Sequence, residues 1–212
     1  MQWTLVIPLK PLSRAKSRLS DTAGDGMRPG LALAFAKDTV AAALSCAAVA
    51  DVAVVTDDER AARELAALGA RIVPDTPAGG LNAAVAHGAA VVREMRPRTP
   101  LAALNADLPA LRPAELAAVL GAAAEFSRAF LADAARLGTT LLAAGPGGEL
   151  QPEFGVRSRH RHRASGAEEL QLAGVDSVRQ DVDTGEDLRA ALAMGVGPYT
   201  AAVSAGLLIP GS

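Results

Sequence analysis

Short apolar runs alternate with longer stretches of helical periodicity along the whole chain. The apolar runs predict strands over 3–9, 52–56, 70–73, 100–105, 129–132, 139–144 and 175–180. The stretches between them predict helices over 29–46, 59–68, 80–95, 113–126 and 184–194, with Asp57 able to cap the second. Such alternation is typical of a mostly parallel sheet covered by helices on both faces. With no internal repeat or linker in the sequence, we predict an α/β fold in three layers, α/β/α, forming a single domain over residues 1–212.

Composition narrows the class of protein. Half of the 212 residues are hydrophobic but only 3% are aromatic, so Ala, Val, Leu and Ile must fill the core. A net charge of -2 gives no general attraction to nucleic acid or to an anionic membrane, and neither is an expected partner. The single cysteine, Cys46, lies among Ala and Leu and is expected to be a buried thiol. Without a signal core or a long apolar run, we expect a cytoplasmic protein, and self-association stays open.

A cluster of positive charges follows the first predicted strand. Lys10, Arg14, Lys16 and Arg18 come directly after the apolar run 3–9. Ligands of open α/β sheets collect beyond the carboxyl ends of the strands, where a polyanion would meet these side chains. The alternative is that they form the solvated face of a short helix.

Three carboxylates stand at other predicted strand ends. Asp107 ends the apolar run 101–106, and Asp181 and Asp183 are two residues apart, which places them on one face of an extended segment. Each of them could instead cap a turn or a helix. Taken together at one sheet edge, they suit Mg²⁺, which prefers hard oxygen ligands and binds substrate phosphates as well.

Residues 145–167 interrupt the regular alternation. A Gly and Pro turn cluster over 145–148 is followed by a basic stretch over 157–163, and long connections inside a domain are often functional. We expect a folded anion-binding loop here, the alternative being a surface excursion. His160 and His162 alternate with Arg, and neighbouring cations oppose zinc binding.

Several motifs occur in one order along almost the whole chain. They are Ile7-Pro8-Leu9-Lys10-Pro11-Leu12, Ala15-Lys16-Ser17-Arg18-Leu19, Val54-Val55-Thr56-Asp57, Gly80-Leu81-Asn82, Ala106-Asp107-Leu108-Pro109-Ala110, Gly138-Thr139-Thr140, Phe154-Gly155 with Ser158, and Asp181-Val182-Asp183-Thr184. In this order the chain resembles the guanylyltransferases of coenzyme F420 biosynthesis. The resemblance implies a Rossmann-like nucleotidyltransferase fold with a mixed sheet. It also implies transfer of GMP from GTP to phosphoenolpyruvate or 2-phospho-L-lactate, with release of diphosphate.

The resemblance assigns roles to three groups of residues. Three aspartates would bind Mg²⁺: Asp107, Asp181 and Asp183. Three residues would bind the phosphorylated acid: Thr140, Gly155 and Ser158. The nucleotide would be held by Lys10, Lys16, Arg18, Gly80, Leu81 and Asn82. Of all these, Lys10, Lys16 and Asp107 would be catalytic, while Phe154 would shape the pocket.

The choice of acceptor follows from composition and resemblance together. Abundant Ala and Arg indicate a bacterial coding bias toward high GC, and bacterial members of the family are associated with phosphoenolpyruvate. We therefore expect phosphoenolpyruvate as acceptor and delivery of the product to the next transferase of the pathway. The segment from Pro8 to Ser13 has no glycine, which counts against sugar-nucleotide and molybdopterin nucleotidyltransferases. A phospholactate enzyme, another small-molecule nucleotidyltransferase and a non-catalytic GTP sensor remain alternatives.

Overall fold

Seven strands form one mixed sheet in the computed structural model, which describes residues 1–14, 19, 26–76 and 79–205. The strands are β1 (Trp3–Pro8), β2 (Val49–Val55), β3 (Arg71–Val73), β4 (Leu101–Leu104), β5 (Arg128–Ala132), β6 (Thr139–Ala144) and β7 (Glu168–Glu169). Their spatial order is β3-β2-β1-β4-β6-β5-β7. Strand β6 runs antiparallel to both of its neighbours, and the other pairs are parallel. The predicted mostly parallel sheet is confirmed.

Eight α-helices connect or flank these strands within the described ranges. They are α1 (Arg28–Leu44), α2 (Glu59–Ala66), α3 (Leu81–Met95), α4 (Pro113–Ala123), α5 (Ser158–Ala164), α6 (Asp176–Arg179), α7 (Gly185–Met194) and α8 (Pro198–Ser204). Helix α2 begins at Glu59 as predicted, but its N-cap is Asp58 instead of Asp57, because the Asp58 carboxylate accepts the Ala61 N–H at 3.0 Å. None of the described helices combines the length and the apolar character needed to cross a membrane.

The helices cover both faces of the sheet, as the alternation predicted. Leu5 and Ile7 of β1 point to the face covered by α1, α2 and α4, whereas Val6 points to the face covered by α3. Helix α3 approaches closely because Gly88 has no side chain: an added Cβ would lie 2.5 Å from a Val55 methyl. Cys46 is buried, as expected.

The predicted strand over 175–180 is wrong, because the segment forms the short helix α6. Glu115 Oε2 accepts hydrogen bonds from the Ser177 backbone N–H at 2.9 Å and from its hydroxyl at 2.8 Å. Arg179, which is 4% exposed, donates to the Ala132 carbonyl at 2.7 Å. These bonds to distant residues fix a helical turn where the apolar pattern alone indicated a strand.

All but the first residue of the basic stretch over 157–163 lies in helix α5, not in the expected loop. Glu169 of β7, almost fully buried, accepts from the guanidinium groups of Arg159, at 2.9 Å, and Arg163. These ion pairs offset part of the repulsion among the arginines and fix one side of α5 against the sheet edge. The adjacent side of α5, which carries Ser158 and His162, faces the start of β6.

Candidate active site

The order of the strands reverses direction at β1. The chain proceeds from β1 outward to β2 and β3, then returns to place β4 on the other side of β1. Ligands of open α/β sheets bind beyond the carboxyl ends of the strands at such a reversal. Lys10, which is exposed, follows β1 at this edge, and Asp107 follows β4 there. The sheet therefore places a predicted phosphate-binding lysine and a predicted metal-binding aspartate at one edge.

Strand β6 delivers its first residues to the same edge because it runs antiparallel. The Asn105 backbone N–H, just after β4, donates to the Thr140 carbonyl at 2.9 Å. Thr140 lies at an irregularity of the β5–β6 pairing, where Leu131 pairs with Leu141 and the next pair skips Thr140. Its hydroxyl is buried and has no hydrogen-bond partner in the described part of the chain. Since buried hydroxyls normally have partners, this one fits a ligand-binding role.

The three predicted metal-binding aspartates come from two neighbouring segments. The Val182 N–H donates to the Asp107 carbonyl at 3.1 Å, which places Asp181 and Asp183 beside Asp107. The side-chain amide of Asn105 also donates to Asp181 Oδ2 at 3.5 Å. These contacts position the pair of aspartates against the end of β4.

The capping alternative for Asp183 is wrong. The N-cap of α7 is Thr184, whose hydroxyl accepts the Asp187 N–H at 3.2 Å, and Asp183 is exposed. Carboxylate oxygens are the donors that hard divalent cations prefer. Within residues 1–14, 19, 26–76 and 79–205, however, no three acidic, His or Cys side chains already surround one point as a metal site would.

The predicted acid-binding residues Gly155 and Ser158 lie at the start of α5. Gly155 has a φ of +111°, a conformation that L side chains rarely adopt, and an added Cβ would be 3.1 Å from Arg161 Nη2. Ser158 is 2% exposed, and its hydroxyl lies 3.8 Å from the Cβ position of Gly138, two residues before Thr140. The corner between β6 and α5 thus gathers the acid-binding residues that the resemblance indicated.

The predicted nucleotide-binding segment 80–82 contacts that same corner through Asn82. The Asn82 carboxamide donates to the Phe154 carbonyl at 3.2 Å and accepts the Phe154 N–H at 2.8 Å. The other two residues open helix α3: Gly80, with a φ of +92°, is its N-cap, and Leu81 is half-buried. Two hydrogen bonds therefore join the start of α3 to the residue that precedes Gly155. Lys16 and Arg18 lie outside the described residues.

Sequence reasoning missed His162, which is fully buried beneath this corner. Its Nδ1 lies 2.9 Å from the Thr139 hydroxyl, and its Nε2 accepts the Glu153 backbone N–H at 2.9 Å. An acceptor Nε2 requires the neutral tautomer with the proton on Nδ1. The rings of Phe130 and Phe154 lie 5.7 and 5.0 Å from the imidazole, centroid to centroid.

The environment of His162 keeps the imidazole neutral. Burial, followed by the charges of Arg128 and Arg161, lowers the pKa of His162 to about 4. In the sequence, His162 stands in a basic stretch where it alternates with Arg, and only the contacts with Thr139 and Glu153 reveal its buried position.

Solved structures of other proteins share this fold. A nucleotidyl transferase from Methanothermobacter is similar with a TM-score of 0.59 at 20% identity, over 91% of this chain and 97% of that one. A Mycobacterium tuberculosis protein solved in complex with manganese is similar with a TM-score of 0.56 at 20% identity, over 91% and 99%.

The family follows from the sequence. Residues 3–204 match the family described as guanylyl transferase CofC like, and the chain belongs to that family. A relative from Streptomyces coelicolor named phosphoenolpyruvate guanylyltransferase is 76% identical over 211 residues, which cover 100% of both chains.

Proposed function

We propose that this chain transfers GMP from GTP to phosphoenolpyruvate and releases diphosphate. The observation that supports this most is the full-length similarity to the Streptomyces coelicolor relative named phosphoenolpyruvate guanylyltransferase. The geometry is compatible with it: Lys10, the three aspartates and the acid-binding corner share one edge of the sheet. We expect the reaction to take place in the cytoplasm.

The reaction needs charge neutralisation more than proton transfer. A phosphate oxygen of the acceptor attacks the α-phosphorus of GTP, and a new oxygen–phosphorus bond forms. The bond from the α-phosphorus to the bridging oxygen breaks, and diphosphate leaves with that electron pair. The acceptor phosphate is already ionised at neutral pH, so no general base is required. Both reactants are anions, and Lys10, with Lys16 and Arg18 as the resemblance implies, would offset their repulsion.

Asp107, Asp181 and Asp183 would hold a divalent cation, which we propose is Mg²⁺. Bound there, the ion would neutralise phosphate charge in the transition state. The chain orients these carboxylates through the Val182–Asp107 backbone bond and the Asn105–Asp181 contact. Their oxygen chemistry fits the ion, although their side chains would have to converge further around it.

The acid would bind at Thr140, Gly155 and Ser158. The buried Thr140 hydroxyl would gain in the acid the partner that it lacks among the described residues. Phosphoenolpyruvate is planar at the carbon where 2-phospho-L-lactate is tetrahedral, so pocket shape must distinguish them. Shape alone discriminates by about 1 to 3 kcal/mol, and we expect some activity with 2-phospho-L-lactate.

The decisive assay follows diphosphate released from GTP and Mg²⁺ with phosphoenolpyruvate, with 2-phospho-L-lactate and with no acid. The product is a mixed phosphate anhydride, which the next transferase would consume, so that enzyme and its deazaflavin acceptor are included. We expect a higher kcat/KM with phosphoenolpyruvate. A higher value with 2-phospho-L-lactate would refute the choice of acid. GTP binding without diphosphate release with either acid would indicate a nucleotide sensor.

A further inference from the structure

We propose that His162 is a positioning residue for the acid pocket: its neutral ring joins the three segments that carry Thr140, Gly155 and Ser158. This inference rests on the proposed function, because those residues bind the acid only if the chain is the transferase described above. His162 itself does not touch the acid in this proposal. It acts through the backbone and side chains that it holds.

The first segment is the start of β6. The His162 Nδ1–H donates to the Thr139 hydroxyl at 2.9 Å, and Thr139 directly precedes Thr140. Thr139 is 4% exposed and Thr140 is fully buried, so water cannot readily replace a lost partner. The hydrogen bond therefore fixes the strand end at the residue before Thr140, whose hydroxyl has no partner among the described residues.

The second segment is the connection that leads to Gly155. His162 Nε2 accepts the Glu153 N–H at 2.9 Å, and Phe154, between Glu153 and Gly155, packs its ring edge-on against the imidazole. Asn82 holds the Phe154 backbone from the other side. Residues 151–154 of this connection form neither helix nor strand, so these contacts hold the backbone where a strand would be held by hydrogen bonds to its neighbours.

The third segment is helix α5 itself. Ser158 and His162 are four residues apart on this helix, so they lie on one face, and both are buried toward β6. Fixing the ring between β6 and the connection therefore also fixes the orientation of Ser158. One side chain thus sets the relative positions of all three acid-binding residues.

The bridge requires an imidazole in its neutral form. One nitrogen must donate while the other accepts, and a protonated ring could not accept the Glu153 N–H. Burial disfavours the charged ring, and the two charges that act on it, Arg128 on β5 and Arg161 on α5, are both positive, so the pKa of His162 is lowered and the ring stays neutral.

The test compares His162→Gln with His160→Gln, a matched control at an exposed position on the same helix. Gln keeps a donor and an acceptor but not the spacing of the ring nitrogens. We expect His162→Gln to raise the KM for phosphoenolpyruvate about tenfold or more and to leave the KM for GTP within about twofold. The Glu153 amide should also lose protection from hydrogen exchange. His160→Gln should match the wild-type protein in all three measurements.

A second variant covers the case in which His162→Gln does not fold. Thr139→Val keeps the β-branched shape and removes only the acceptor of the Nδ1–H, so a smaller rise in the same KM is expected. Equal loss of affinity for GTP and the acid, or an unchanged acid KM in folded variants, would overturn the proposal.

Binding separates this proposal from the proposed function. Titration calorimetry gives the Kd for phosphoenolpyruvate without turnover. A wild-type protein that binds the acid but releases no diphosphate would refute the transfer reaction alone. The Kd would then decide the role of His162: a weaker Kd in His162→Gln supports it, and an equal Kd refutes it.

Discussion

Acidification should destabilise this protein through His162. The pKa of His162 falls from 6.5 in the unfolded chain to about 4 in the folded protein. At pH 7.5, a full unit above 6.5, the ring is neutral in both states and nearly its full contribution to stability is present. As the pH falls toward 4, the unfolded chain takes up a proton that the folded protein does not. The shift corresponds to about 3 kcal/mol in total, of which about 2 kcal/mol is lost between pH 7.5 and pH 5.

Denaturant unfolding at pH 7.5, 6 and 5 measures this loss. The pKa values of Asp58 and Glu169 are lowered in the folded protein, so their contribution to the free energy of unfolding also falls in acid. The pKa of Asp38 is raised, so its contribution changes in the opposite direction. Because these groups are present in both proteins, the difference between wild type and His162→Gln isolates the histidine. We expect the variant to be less stable at pH 7.5 but to lose about 2 kcal/mol less on going to pH 5. Parallel pH profiles for the two proteins would refute the reasoning.

Three further outcomes are expected. Asp107→Asn keeps the shape of the side chain but removes its charge, so turnover should fall about a hundredfold, or about 3 kcal/mol, with an unchanged Tm; near-normal diphosphate release would contradict the metal assignment. Lys10→Ala should weaken GTP binding far more than GMP binding in calorimetry, because the lysine is proposed to meet the terminal phosphates; equal weakening would exclude that contact. Gly155→Ala, with its φ of +111° and a Cβ 3.1 Å from a guanidinium, should raise the phosphoenolpyruvate KM about tenfold, whereas Gly147→Ala, also at positive φ but in open space, should lower only the Tm.

The sheet was predictable from the sequence because its signals are local. Apolar runs such as 3–9 and 139–144, each flanked by turn residues, correspond to β1 and β6. The segment 175–180 was not predictable in the same way. Its helix depends on Glu115, which is 62 residues from Ser177 in sequence and supplies the hydrogen bonds that the turn needs.

In the candidate site too, some positions could be predicted from local sequence and others could not. Asp107 at a strand end could be inferred from the chain alone, and the order of motifs indicated Thr140 and Ser158. The buried position of His162 could not, because its two partners come from β6 and from the connection before α5. Nothing in the basic stretch around His162 indicates these two contacts.

The reversed direction of β6 separates two tasks along the chain. Lys10 and Asp107 follow the carboxyl ends of parallel strands, whereas Thr140 stands at the start of an antiparallel one. Under the proposed function, nucleotide handling therefore lies mainly in the first half of the chain and recognition of the acceptor in residues 139–162. Exchanging residues 139–162 between relatives would therefore exchange their preference for the acceptor. New acceptor specificities could evolve in this fold without changes to the strands that face the nucleotide.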